Sequence, residues 1–466
     1  MKFGGTSVGD GAVIRHVAEL VRSYSEQGNE IVIVVSAMSG MTDQLQTIAE
    51  RLTSEYAELS EVTEFTQHVS QRHFDATYAA IDDEMVITEV LSEIESRLEE
   101  LRNALTGIYH LGELTDRSYD YISSFGERLS APIIAGALRS QKIQSVFLTG
   151  GEAGIITNSK HRGAHPIEIT ERRTHDRLMP LLAVGIVPVV TGFIACNIHG
   201  IVTTLGRGGS DFSASIIGSA IDSDEIWIWT DVDGVMTADP KLVPDARTLP
   251  EISYNEAMEI SYFGAKVIHP KTIEPAVSKG IPVKVKNTFD PDGADTTIVD
   301  TVSADSSLVK AVTAINNVSL ITLSGAGMAG TIGIAGHVFS RLAQAGVNII
   351  MISQGSSESN ISLLVEEAHL SSALKALHEL KSSMNGGIVK EIVCDEDVSA
   401  IAVVGSQMAG TPGIVGRIFG CMGRINANVI MISQGSTEHN VSFVLKRDAV
   451  RRAVESLHAE FSLSQI

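Results

Sequence analysis

The sequence predicts an α/β domain over residues 1–286 followed by two copies of a small α+β module. Three observations predict it. Apolar runs such as Ile31–Val35 alternate with helical stretches through the first part of the chain, as buried parallel strands should. The segment Gly325–Val365 recurs, without gaps and with roughly half its positions identical, as Gly405–Leu445. Between these regions, residues 287–307 are rich in Asp, Thr and Ser, the composition of a linker.

Lys2-Phe3 reads as a very short first strand, with a helix expected from Ala12 to Ser23. Further strands are expected at Ile31–Val35, Val187–Thr191, Glu225–Thr230 and Pro282–Lys286. Residues 50–110 read as a helical insertion, because Leu98, Leu101, Leu105 and Ile108 recur at spacings of three and four. The repeat gives two modules, 308–386 and 387–466, since Val309-Lys310 matches Val389-Lys390 and Val318-Ser319 matches Val398-Ser399. Each reads strand, strand, helix, strand, strand, helix; in the first copy these include Ser319–Leu323, Ile334–Ala345, Val347–Ser353, Asn360–Val365 and Ser371–Ser382. The duplicated leading strands, Val309–Ile315 and Val389–Cys394, are placed to be exchanged between the modules.

With 466 residues, 44% of them hydrophobic, the chain has material for more than one core. A net charge of −21 repels nucleic acid and anionic membranes, so neither is expected as a partner. Cys196, Cys394 and Cys421 are scattered, which suits a reducing cytoplasm, and the first residues carry no apolar signal segment.

Lys2-Phe3-Gly4-Gly5-Thr6-Ser7 lies between the first strand and the first helix, where glycines admit phosphate oxygens to backbone N–H groups and a helix N-terminus favours anions. Lys2 can neutralise a transferring phosphoryl, although an ordinary βα turn has the same pattern. In Leu205-Gly206-Arg207-Gly208-Gly209-Ser210-Asp211, three glycines bracket a cation suited to bidentate capture of a carboxylate. A capped glycine turn is the plainer alternative. Trp229-Thr230-Asp231-Val232-Asp233-Gly234 follows a strand, at the end where open α/β sheets bind ligands, and suits nucleotide or a simple acidic turn. Phe125-Gly126-Glu127-Arg128 and Phe263–Pro270 are weaker alone. Gly325-Ala326-Gly327-Met328-Ala329-Gly330 fits a dinucleotide fingerprint. Ser353 and Gln354 stand where its acidic residue belongs, and the repeat copy loses the second glycine, so the match is set aside.

In this order, KFGGTS, VVSAMSGMTD (Val34–Asp43), FGERLS, TLGRGGSD, WTDVDGV and FGAKVIHP resemble the aspartokinases over nearly the whole chain, and the repeats resemble paired ACT modules. The resemblance implies an amino-acid-kinase open α/β/α sandwich followed by two ferredoxin-like ACT modules. It implies transfer of the ATP γ-phosphoryl to the β-carboxylate of L-aspartate, the first step toward lysine, threonine and methionine, with feedback through the ACT modules. Carried over, ATP contacts fall on Lys2, Gly4, Gly5, Thr230, Asp231, Met236, Lys241 and Lys266. Aspartate contacts fall on Thr42, Glu127, Arg207 and Ser210, with Ser36, Phe193 and Asp211 close by. Lys2, Lys266, Arg207 and Glu127 are then the catalytic set.

The family usually has Tyr where Met236 stands and Arg where Lys241 stands, and has several residues ahead of its Lys2, so the chain is expected to be trimmed at its start. Mg²⁺ is expected on the phosphate oxygens, with no dedicated protein ligand set. The β-carboxylate, with a reference pKa of about 3.9, is already an anionic nucleophile at pH 7, so no general base is required. A kinase for another carboxylate stays open, because one methylene is worth only about 1–3 kcal/mol in a pocket. So does a catalytically silent amino-acid sensor, against which stands the joint presence of Lys2, Glu127, Arg207 and Lys266. An effector is expected at Met328, Ala329, Gly330, Asn348, Gln354, Asn428 and Gln434, with threonine favoured, lysine second, and a homo-oligomer formed through the ACT modules.

Overall fold

The computed structural model describes residues 1–263, 272–302, 307–384, 387–435 and 437–466. The chain divides into two compact units. The first is Met1–Val235 with Val267–Asp300, and the second is Met236–Lys266 with Thr301–Ile466.

In the first unit, seven strands of the described residues share one sheet: β1 (Lys2–Phe3), β2 (Ile33–Val35), β3 (Ser145–Leu148), β4 (Val187–Thr191), β5 (Ile226–Thr230), β6 (Val283–Asn287) and β7 (Thr296–Val299). Their order is β3-β4-β2-β1-β5-β6-β7. All neighbours run parallel except β6 and β7. The two-residue β1 is central: Lys2 pairs with Val34 and Ile228, and Phe3 with Val35 and Trp229. Parallel strands open their carboxyl ends on one edge, so the loops after Phe3, Val35, Thr191 and Thr230 converge there. A smaller sheet joins Ile156–Thr157, Ile194–Asn197 and Val202–Thr204.

The helices follow local signals. Gly11–Glu26 starts at Asp10, whose carboxylate accepts from Val13 N at 3.0 Å. Residues 50–110 hold the long helices Leu59–Ala80 and Glu84–Leu111, the first opened by a capping box at Glu58 and the second ended by Gly112 at φ 64°. Leu98, Leu101, Leu105 and Ile108 are all buried, as their spacing requires.

The stretch expected to be a linker needs correction. Within it, Thr296–Val299 pairs antiparallel with β6, Val283 opposite Ile298 and Val285 opposite Thr296. Thr296 and Ile298 are buried and alternate with less buried neighbours, a period-two pattern hidden in a polar composition. By compactness, 236–263 group with the second unit, although they precede the expected boundary near residue 286. Ala238, Val243 and Ala246 lie in the same apolar cluster as Phe443 and Leu457.

The second unit is built on a six-stranded sheet in the order Ile349–Gln354, Asn360–Glu366, Ala311–Ser324, Glu391–Val404, Asn440–Lys446, Met431–Ser433. The two long central strands pair antiparallel, so Ala311–Ile315 lies against Ala400–Val404 and Glu391–Asp395 against Leu320–Ser324. Each leading segment therefore completes the other repeat's half of the sheet. Val309 and Val312 join the apolar core of the second repeat, and Val389 that of the first. A Cβ on Gly325 would stand 2.1 Å from Ile388 O, and one on Gly405 would stand 2.3 Å from Leu308 O. The first glycine of the fingerprint-like motif thus makes room for the crossing strand of the other repeat.

Candidate active site

The loop after β1 carries Gly4 and Gly5. Gly4 N donates to Trp229 O at 3.1 Å, closing the turn onto β5. A Cβ on Gly5 would lie 3.2 Å from Ala37 O, so a side chain there would press on the loop after β2. Ser7 Oγ lies 2.7 Å from Thr288 Oγ1, fixing the turn from its far side. Lys2 is buried, and its Nζ lies 2.7 Å from Asp211 Oδ1. That contact is a short ion pair without the angles of a hydrogen bond, and among the described residues Oδ1 has no hydrogen-bond donor.

Glu127 reaches the same edge from the helix Phe125–Ser140. A Cβ on Gly126 would stand 2.6 Å from Ala37 Cβ and 3.5 Å from Thr42 Oγ1, so only glycine lets this helix start seat against the loop. Ala37 N then donates to Glu127 Oε1 at 3.2 Å, while the buried Oε2 has no partner among the described residues. Burial pushes the Glu127 carboxyl up to about 8, with the Ala37 N–H opposing the shift. Ser36 is held beside it: its N donates to Phe3 O at 3.2 Å and its carbonyl accepts from Ser130 Oγ at 2.8 Å.

The third contribution comes from the turn before the helix Gly209–Ala220. Gly206 and Gly208 have φ of 79° and 71°, the left-handed region that favours glycine. A Cβ on Gly209 would meet the Phe193 ring at 2.7 Å, and one on Gly192 would meet Ser210 at 2.7 Å, so Phe193 and Ser210 are packed at this helix start. Asp211, in the first helical turn, is the partner of Lys2. Arg207 is exposed and pairs with no carboxylate among the described residues. It is a cation free to take one.

On the β5 side, Thr230 Oγ1 donates to Asp231 Oδ1 at 3.2 Å, and Thr288 N donates to Thr230 O at 2.8 Å. Met236 and Lys241 belong to the second unit. There Met236 forms a bridge with Thr248, Lys241 N donates to Asp239 Oδ1 at 2.9 Å, and Arg451 donates to Lys241 O at 2.9 Å. Lys266 lies outside the described residues. Lys2, Gly4, Gly5, Ser36, Thr42, Glu127, Phe193, Ser210, Asp211 and Thr230 are therefore gathered at one sheet edge. Among the described residues, no group of three or more His, Cys, Asp or Glu is arranged to hold a metal ion.

In the first repeat, a cavity of about 430 Å³ is lined by Met328, Gly330, Thr331, Gly333, Gln354 and Glu358 among others. Gly330 N donates to Glu358 Oε2 at 3.1 Å, and Gly410 N makes the same bond to Glu438 at 2.7 Å. Ala329 and Asn348 are exposed outside this lining, and Asn428 and Gln434 are exposed in the second repeat. Sequence reasoning missed Asp120, fully buried on the short helix Asp116–Ser123. Its only signal is an acidic residue seven positions ahead of Glu127, too slight to single out.

Residues 1–287 match the amino acid kinase family, and residues 321–380 and 401–461 match the ACT domain. The chain is 33% identical to the chloroplastic bifunctional aspartokinase/homoserine dehydrogenase 1 of Arabidopsis thaliana, over 100% of this chain and 51% of that protein. The chain spans about half the length of such bifunctional relatives. It is 33% identical to the chloroplastic aspartokinase 1 of Arabidopsis thaliana, over 99% of this chain and 79% of that one. Among solved structures it is similar to E. coli aspartokinase III in complex with lysine and aspartate (T-state), with 27% identity, a TM-score of 0.81, and 99% and 98% of the two chains covered. The same enzyme in complex with aspartate and ADP (R-state) matches at 28% identity and a TM-score of 0.79, over 99% of each chain. The chain belongs to the amino acid kinase family, in its aspartokinase branch, with two ACT domains after the kinase fold.

Proposed function

We propose that the chain transfers the γ-phosphoryl of ATP to the β-carboxylate of L-aspartate, giving 4-phospho-L-aspartate and ADP. The observation that carries this reading is a buried cation, Lys2, and a buried carboxyl, Glu127, at one carboxyl edge together with the exposed Arg207, where among the described residues Glu127 Oε2 has no partner and Arg207 pairs with no carboxylate. A carboxylate oxygen attacks the γ-phosphorus while the bond to the ADP oxygen breaks. No proton has to be removed from the nucleophile, so the barrier to lower is repulsion between two anions. Lys2 supplies positive charge where the phosphoryl transfers, and Asp211 keeps that buried ammonium compensated until phosphate arrives. Glu127 receives the α-ammonium on its open oxygen, and Arg207 takes the α-carboxylate in its fork. Thr230 and Asp231 are on the nucleotide side of this reading; Met236, Lys241 and Lys266 are assigned to ATP by the family resemblance alone. Mg²⁺ would supply further charge on the phosphate oxygens themselves, since Asp211 Oδ1 is already taken by the Lys2 ammonium at 2.7 Å.

The ACT cavity at Met328, Gly330 and Gln354 is the effector site of this reading, with threonine favoured over lysine. Assembly is through a second copy of the ACT sheet, whose strands leave Ile352, Val393 and Ile432 exposed. Three unpaired cysteines fit a reducing compartment such as the cytoplasm. ADP release, coupled to a dehydrogenase readout and run across a panel of amino acids, tests the assignment. Turnover with aspartate and little with glutamate is expected; turnover with glutamate alone would overturn it.

A further inference from the structure

We propose that Asp120 is a positioning residue for carboxylate recognition, holding the turn that presents Arg207. The inference rests on the reading of Arg207 as the residue that takes the substrate α-carboxylate.

Asp120 has no exposed surface, yet both its oxygens are filled by donors from two distant segments. Thr204 Oγ1 donates to Oδ1 at 2.6 Å, and Thr204 N to Oδ2 at 3.3 Å. Arg162 N donates to Oδ1 at 3.0 Å, and His161 Nδ1 lies 2.7 Å from Oδ2. A carboxylate only accepts, so the facing His161 nitrogen carries its hydrogen. The two segments are also tied to each other: Ala164 N donates to Thr204 O at 2.8 Å.

These segments lie directly beside the Arg207 turn. Thr204 ends a strand three residues before Arg207. A Cβ on Gly206 would stand 3.4 Å from Arg162 O and 3.5 Å from Gly163 Cα, so the turn rests on the 161–164 loop. Arg162 has φ of 63°, left-handed for a residue with a side chain, and its N–H is held by Asp120. The Arg162 guanidinium is folded back over the Tyr119 ring at 4.1 Å, with Asp116 at 3.6 Å, so it is engaged elsewhere. Arg207 has no side-chain partner of its own among the described residues. Its position is therefore set by its backbone, and that backbone is set by the loop and strand end bound to Asp120. Packing alone does not account for a buried carboxylate here, since an apolar residue of similar size would fill the space without its desolvation cost.

The test is Asp120→Asn in the full-length enzyme. The amide keeps the volume but cannot accept on both sides. The Michaelis constant for aspartate should rise about tenfold or more, with kcat within about threefold of wild type and the constant for ATP nearly unchanged. Thr204→Val, which leaves the other donors to Asp120 in place, should shift aspartate affinity in the same direction if the Asp120 variant is too poorly folded to assay. In an Arg207→Lys background, Asp120→Asn should add less than about threefold, because the residue it positions has already lost its fork. A full tenfold effect in that background would overturn the inference, as would an unchanged aspartate constant in either single variant. If the wild type turns over another carboxylate instead, the substrate assignment fails. The same comparison is then made with that carboxylate, and its outcome still decides the role of Asp120.

Discussion

The sharpest consequence of the site concerns Glu127 and pH. Its carboxyl is pushed up to about 8 by burial, against which Ala37 N donates to Oε1 at 3.2 Å while Oε2 has no partner among the described residues. In the free enzyme at pH 7 the ionised fraction is then about one in eleven, at pH 6 about one in a hundred, and at pH 8 about one half. A substrate ammonium binds the ionised form, so the apparent dissociation constant is the intrinsic one divided by that fraction. Affinity for aspartate should therefore rise about ninefold from pH 6 to 7 and about fivefold from 7 to 8, then level off. Binding at pH 7 should release close to one proton, visible by calorimetry as a binding enthalpy that depends on the buffer's ionisation heat. The stability of the free protein moves the other way. A carboxyl raised in the folded state favours folding below its unfolded pKa, and that advantage is lost as pH rises from 4.5 through 8. At pH 7 the loss is on the order of 3 kcal/mol. Glu127→Gln should thus raise the melting temperature at pH 8 relative to wild type while weakening aspartate binding about a hundredfold and flattening its pH dependence. Wild-type affinity that stays flat between pH 6 and 8, with no proton released, would refute this reasoning.

Lys2→Met, which deletes the buried cation facing the phosphoryl, should cut turnover about a hundredfold or more with folding intact by circular dichroism; near-normal turnover would remove Lys2 from the chemistry. Arg207→Lys keeps charge but loses bidentate geometry, so steady-state kinetics should show the aspartate constant raised and the ATP constant little changed. The opposite pattern would move Arg207 to the nucleotide side. Threonine titrated into the activity assay should inhibit, by binding the less active arrangement more tightly, and Gln354→Ala should blunt that inhibition. Inhibition by lysine alone would change the effector.

Much of this was legible in sequence because its cause is local. Gly4, Gly206 and Gly208 mark turns, and the repeat at Gly325 and Gly405 announces paired modules through near-identical stretches. Glu127 could have been read as buried, since it stands ahead of the apolar run LSAPIIAGAL in which a carboxylate is out of place. What could not be read depends on contacts between distant residues. The Lys2–Asp211 pair joins positions far apart in the chain, and the donors to Asp120 come from 161, 162 and 204. Thr296–Val299 was masked by the aspartates around it, since a short strand of four residues carries too few positions for its alternation to stand out. The grouping of Ala238, Val243 and Ala246 with the second repeat was likewise invisible, because small residues in a polar stretch show no helical or strand period.

The central claim is that the acceptor is a carboxylate of aspartate, and trapping the product tests it most directly. An acyl phosphate reacts with hydroxylamine to give a hydroxamate, whereas phosphate on a hydroxyl or amine does not. Incubating the protein with ATP, Mg²⁺, aspartate and hydroxylamine should yield aspartyl β-hydroxamate in step with ADP, identified by mass spectrometry and its iron(III) colour. ADP formed in full amount with no hydroxamate, or hydroxamate formed from glutamate and not from aspartate, would contradict the account.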